Sequence, residues 1–224
     1  MLEKHRRNRF ILLVMLLIAV ASMTVGFAAF SKELTINASA IVKPDASSFR
    51  VVFSSNGSSL ATDDVKGVSE GGAMAGTASI DNNGEIPTIS NLTATFTNPG
   101  QAVSYTFYSY NSGAYTAYLT GIKFNLSNGS TGKVCTAIDK ASTTDSLLSA
   151  ACNDISVKVE VGENSEFNGE TKTISGHSLA KSGFEQVKVT ILYDNNGNIS
   201  DGDFVVQFPD VSLIYSSADN VTTS

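Results

Sequence analysis

The densest set of hard oxygen ligands in this 224-residue chain is the run Asp194-Asn195-Asn196-Gly197-Asn198-Ile199-Ser200-Asp201-Gly202-Asp203. Oxygen side chains at alternate positions suit Ca²⁺, and Asp194, Asn196, Asn198, Asp201 and Asp203 are the candidate ligands. The run departs from an EF-hand loop, because Ile199 takes the glycine position and no Glu closes it. The competing and preferred reading is a hairpin loop between FEQVKVTILY and DFVVQF, with Asn-Gly supplying a positive φ. On that reading the chain takes no cofactor and no metal. Asp63-Asp64 reads as two solvated loop charges.

Histidine and cysteine complete the reactive inventory. His5 lies in the N-terminal segment and His177 stands alone in a Gly/Ser loop. Supply alone therefore excludes a catalytic triad and a histidine zinc site. Carboxylates are numerous but scattered, and no pair is marked as acid and base. The chain reads as a non-enzyme. Cys135 and Cys152 read as a disulfide of an exported protein, contributing about 3 kcal/mol by loop closure. Two free buried thiols are the other reading. Tyr105, Tyr108, Tyr110, Tyr115 and Tyr118 read as cross-strand packing rather than a sugar-stacking surface.

The elements that must carry these residues are strands. FRVVFSS alternates Phe49, Val51 and Phe53 against Arg50, Val52 and Ser54, a half-buried strand. Residues 55–76 are rich in Gly, Ser and Asp and read as a long surface loop, followed by a short strand at Thr77–Ile80. Leu92, Ala94 and Phe96 share one face, Asn98-Pro99-Gly100-Gln101 turns, and Val103, Tyr105 and Phe107 resume that face. A further strand spans Tyr115 to Leu126. Between the cysteines, Ser142 with Asp145 caps a short helix reaching Ala151, whose ends the disulfide would tie. Ile155, Val157, Val159 and Val161 then alternate with polar residues. After the polar loop GENSEFNGETK comes a short strand near Thr171–Ile174. FEQVKVTILY, DFVVQF and DVSLIYSS are the last three strands, and residues 218–224 form a polar tail. Short strands at this spacing predict an all-β antiparallel sandwich over residues 44–217, jelly-roll-like, with one short helix.

What precedes it is different. Lys4, Arg6, Arg7 and Arg9 stand before an uncharged stretch from Phe10 to Phe30, the pattern of an export signal helix. Gly26 and Ala28 meet the small-residue requirement of a signal peptidase, placing cleavage at Ala28 or Ala29 and making residues 1–29 a signal peptide. The stretch is also long enough to remain as a membrane anchor. Residues 30–43 then alternate Leu34, Ile36, Ala38, Ala40 and Val42 on one face. Taking the four basic residues and one Glu of residues 1–29 from the chain's 15 and 21 leaves 11 and 20, a net of −9. Such acidity argues against nucleic acid or an anionic membrane as partner, so membrane contact is confined to the uncleaved N-terminal segment.

GFAAFSKELTINASAIV resembles the start of the TasA/camelysin-type secreted proteins of Gram-positive bacteria. NLTATFTNPGQAVSYTFYSYNSGAYTAYLTGIKF is similar in layout to the same family's Pro-Gly turn, aromatic strand and Asn-x-Gly break. The resemblance implies a jelly-roll-like sandwich, export, processing by a dedicated archaeal/eukaryotic-like signal peptidase, and assembly into biofilm-matrix fibres. It further implies that the first mature strand completes the sheet of a neighbouring subunit. The residues agree with that mode, since a one-faced strand gives main-chain affinity and side-chain register. The same strand pairing within its own sandwich remains open. The expected function is a secreted, homo-oligomeric structural subunit of a cell-surface fibre. The alternative is an anchored cell-surface module binding a glycan or host ligand.

Overall fold

The computed structural model describes residues 49–125, 132–138, 146–163, 165–200 and 202–218. The signal segment, the Ala28/Ala29 cleavage site, the strand of Leu34, Ile36, Ala38, Ala40 and Val42, the Ser142 cap, Asp201 and most of the polar tail lie outside those residues. Among the described residues no helix is long and apolar enough to cross a membrane.

Alternation of apolar and polar residues produces the strands. In chain order they begin with β1 (Val51–Ser54), β2 (Val65–Lys66), β3 (Val68–Glu70), β4 (Met74–Ala75) and β5 (Thr77–Asp81). Next come β6 (Thr88–Ser90), β7 (Thr93–Phe96), β8 (Ala102–Asn111), β9 (Ala117–Asn125) and β10 (Val134–Ala137). A single described helix, α1 (Ser146–Asn153), precedes β11 (Ile155–Val161) and β12 (Ser165–Asn168). The chain ends with β13 (Ser178–Leu179), β14 (Phe184–Tyr193), β15 (Phe204–Gln207) and β16 (Asp210–Ser216).

Every pairing among the described residues is antiparallel. One sheet runs β1-β8-β14-β11-β12, with β3 also on β8. The others run β10-β15-β7-β4 and β13-β9-β16-β6-β5-β2. Val159, Val187 and Val189 of the first sheet share one core with Phe96 and Phe204 of the second and Leu119 and Val211 of the third. The fold is thus the expected all-β antiparallel sandwich with one short helix. At the turn between β7 and β8, Gly100 adopts a φ of 87°, as the Pro-Gly pair requires. Buried Gln101 staples that turn: its Oε1 accepts from the amides of Thr97 (2.7 Å) and Asn98 (3.1 Å).

Five expectations are corrected. Residues 55–76 are not one loop: β2, β3 and β4 form there because edges of β5, β8 and β7 offer them partners. Val52 is buried along with Phe53, because its cross-strand partner Tyr110 stacks on Phe184 (4.4 Å) over the outer face. GENSEFNGETK contains β12, which folds back on β11 through Gly162 at a φ of 65°, while Thr171 makes only a bridge to Ile122. FEQVKVTILY and DFVVQF do not form a hairpin. Their strands belong to different sheets, β14 between β8 and β11 and β15 between β10 and β7. Finally, the disulfide does not join the two ends of the helix. Cys152 lies inside α1 and Cys135 in β10, so the bond staples helix to strand, with Cα atoms 6.1 Å apart.

Candidate functional site

Strand β11 organises two sites, one at each end. Its apolar face is regular: Ile155, Val157, Val159 and Val161 all point into the core. Its outer edge is not covered evenly. β12 pairs only with Lys158–Val161, so that ladder stops short of Ile155 and Val157. Beside the uncovered end lies an open groove of about 620 Å³, with Ile155, Val157, Phe124 and Phe208 among its lining residues. Phe124 and Phe208 meet edge to face at 6.3 Å, forming an apolar wall.

Lys133 closes this edge with a charge. Its ammonium donates to the carbonyl oxygen of Ile155, and at 3.4 Å to that of Asn153. Burial pushes the ammonium below the usual lysine range, and the Asp154 carboxylate acts against that. Asp154 itself is held below the usual carboxylate range by the amides of Asn198, backbone (2.7 Å) and side chain (2.8 Å). The edge of β1 is closed differently. Phe53 N–H donates to Asn82 Oδ1 (2.9 Å) and Asn82 Nδ2 donates to Phe53 C=O (2.8 Å), so one amide replaces a missing strand. A primary amide satisfies both a donor and an acceptor, whereas a lysine satisfies carbonyls alone.

At the other end of β11 the core turns polar. Glu185 shares the inward face of β14 with Val187, Val189 and Ile191. Ser165 stands opposite Val161 on the inward face of β12. His177 reaches both: Nδ1 lies 3.1 Å from Ser165 Oγ, and Nε2 lies 2.8 and 2.9 Å from the two Glu185 oxygens. The histidine and glutamate side chains are each 15% exposed. The Glu185 hydrogen bond raises His177 above its ordinary value, and burial opposes it. Gly162 makes room, since a Cβ there would lie 2.8 Å from Glu185 Oε1. Tyr215 donates to Ser109 Oγ (3.1 Å), and burial pushes its phenol far up with Glu185 contributing. This overturns the reading of His177 as a solitary loop residue: one histidine was enough, because the fold supplied its neighbours.

The remaining candidates fall as follows. Cys135 and Cys152 are bonded, at an S–S distance of 1.97 Å. In the loop proposed for calcium, Asp194 Oδ1 accepts from Asn196 N–H (3.0 Å), and Asn198 turns its amide to Asp154. No group of three or more His, Cys, Asp or Glu side chains able to hold a metal occurs among the described residues. Of the tyrosines, Tyr105 is fully buried, donating to Thr93 C=O and accepting from Gly76 N–H (3.1 Å), whereas Tyr115 is 62% exposed. A clue to the histidine site was present in the sequence: Glu185 sits in phase with the apolar face of FEQVKVTILY, and a carboxylate there needs a partner. The chain matches no protein-family model, no curated protein and no solved structure.

Proposed function

We propose that this chain is an exported structural subunit of a cell-surface or matrix fibre, and that its N-terminal strand docks on a neighbouring copy. The observation that carries the reading is the apolar groove beside the uncovered end of β11, where a lysine satisfies the Ile155 carbonyl that a strand could otherwise engage. Leu34, Ile36, Ala38, Ala40 and Val42 supply a one-faced apolar strand suited to such an edge. The formed disulfide agrees with an oxidising compartment outside the cytoplasm. A subunit of this kind needs an acceptor that stays soluble until occupied, and a charged side chain over the edge serves that need.

The test is Ala38→Asp. A carboxylate without a partner in a dry interface costs several kcal/mol. Negative-stain microscopy should show filaments of the processed wild-type chain and none of the variant, at an unchanged melting temperature. Filaments that persist after residues 30–43 are deleted would sink the proposal. A lowered melting temperature in Ala38→Asp would assign the strand to its own sandwich. An intact Met1 in the mass of the mature protein would favour the anchored binding module instead.

A further inference from the structure

We propose that Ser165, His177 and Glu185 form a nucleophilic site at the rim of the sandwich, which accepts the acyl group of an activated carboxylic ester on Ser165 Oγ. The three side chains stand in the order hydroxyl, imidazole, carboxylate, at 3.1 Å and then 2.8–2.9 Å. This is the connectivity of an acyl-transfer triad with the two ring nitrogens exchanged. The exchange keeps the chemistry, because either imidazole nitrogen takes a proton while the other N–H is held by a carboxylate. Glu185 is fixed by strand register on the inward face of β14, and Gly162 leaves the space its carboxylate occupies. Ser165 is partly exposed and lies on β12, the last strand of its sheet.

In the reactive form His177 carries its proton on Nε2, donated to Glu185, and Nδ1 accepts from the Ser165 hydroxyl. Oγ bonds to the ester carbonyl carbon as its proton passes to Nδ1. The bond from that carbon to the leaving oxygen breaks with its electron pair, and the oxygen takes the proton from Nδ1. The products are an acyl ester on Ser165 and a free alcohol or phenol. Water repeats the sequence at the acyl ester, releasing the carboxylic acid and restoring the hydroxyl.

A fluorophosphonate probe tests this on the full chain purified in mild detergent; phosphorus bonds to Oγ and fluoride leaves. The expected result is one label per chain, mapped by mass spectrometry to Ser165. Labelling should vanish in Ser165→Ala and fall at least about tenfold in His177→Gln. Glu185 is a positioning residue, and its readout is the pH profile. The groups facing His177 are Glu185 on β14 and Ser165 on β12, and the Tyr215 phenol on β16 feels the Glu185 charge. Glu185→Gln removes the carboxylate that favours the imidazolium, so the labelling midpoint should move to lower pH; a slower reaction with an unmoved midpoint would remove Glu185 from the site. Mapping on the wild-type chain decides the matter even where a variant folds poorly. No label on Ser165 between about pH 6 and 9, or label on other residues only, overturns the proposal. The labelling reads Ser165 whether or not the chain forms filaments.

Discussion

The two ends of β11 carry the same apolar alternation and do opposite things with it. At the Ile155 end the core opens into a groove walled by Phe124 and Phe208, and a lysine ammonium stands over the strand edge. At the Val161 end, inward positions on neighbouring strands are taken by Ser165 and Glu185, which meet His177. The first end keeps its polar groups at the strand edge and is held from outside by the disulfide between β10 and α1. The second admits a carboxylate into the core and satisfies it with an imidazole. Burial sets the demand in both places, but apolar side chains meet it by contact with any neighbour, whereas a carboxylate requires one partner in one place.

The disulfide is the strongest single lever on this contrast. Cys135→Ser should lower stability by about 2–4 kcal/mol in denaturant unfolding without reductant, with the loss falling on the Ile155 end. An unchanged unfolding midpoint would mean that α1 and β10 hold together without the bond. His177→Gln should cost less, about 1–3 kcal/mol, by leaving the Glu185 carboxylate underpaired. If the two ends are independent, the double variant should equal the sum of the single ones within about 0.5 kcal/mol.

The histidine effect should also depend on pH, with a definite sign. The Glu185 hydrogen bond raises the folded value of His177 above its ordinary 6.5. Folding then favours the protonated form, so this stabilisation is complete below about pH 6.5 and fades as pH rises through the folded value. The melting-temperature gap between wild type and His177→Gln should shrink from about pH 6 to pH 9. A gap that widened would reverse the assignment of charge.

Lys133→Met should have the smallest effect on the isolated chain, under about 1 kcal/mol, because it removes only hydrogen bonds to the carbonyls of Ile155 and Asn153 and relieves a partly buried charge. Its larger consequence should be in association. With the ammonium gone, light scattering should detect assembly at a lower protein concentration than for wild type. No change in that threshold would show that Lys133 does not guard the edge.

Much of this fold was legible because strand alternation is local. The faces of β7, β8, β11 and β14 follow from Leu92, Ala94 and Phe96, from Val103, Tyr105 and Phe107, and from the runs Ile155–Val161 and Phe184–Tyr193. β2, β3, β4 and β12 were not legible, since their residues become strands only when a neighbouring edge offers hydrogen bonds. The segment from Asp194 to Asp203 looked like a hairpin because its ends are strands, yet which sheet each strand joins is a long-range choice.

The sequence by itself determined that the chain is an antiparallel β-sandwich, that its two cysteines can pair, and which side chains of the long strands face inward. Period-two burial needs only neighbouring residues to state it. Tertiary structure alone decided that Ser165, His177 and Glu185 meet, that Lys133 stands over the Ile155 carbonyl, and that Asn82 completes the edge of β1. These contacts join residues from 8 to 29 positions apart. Their partners are fixed by sheet order and register, and no local pattern in the chain encodes either one.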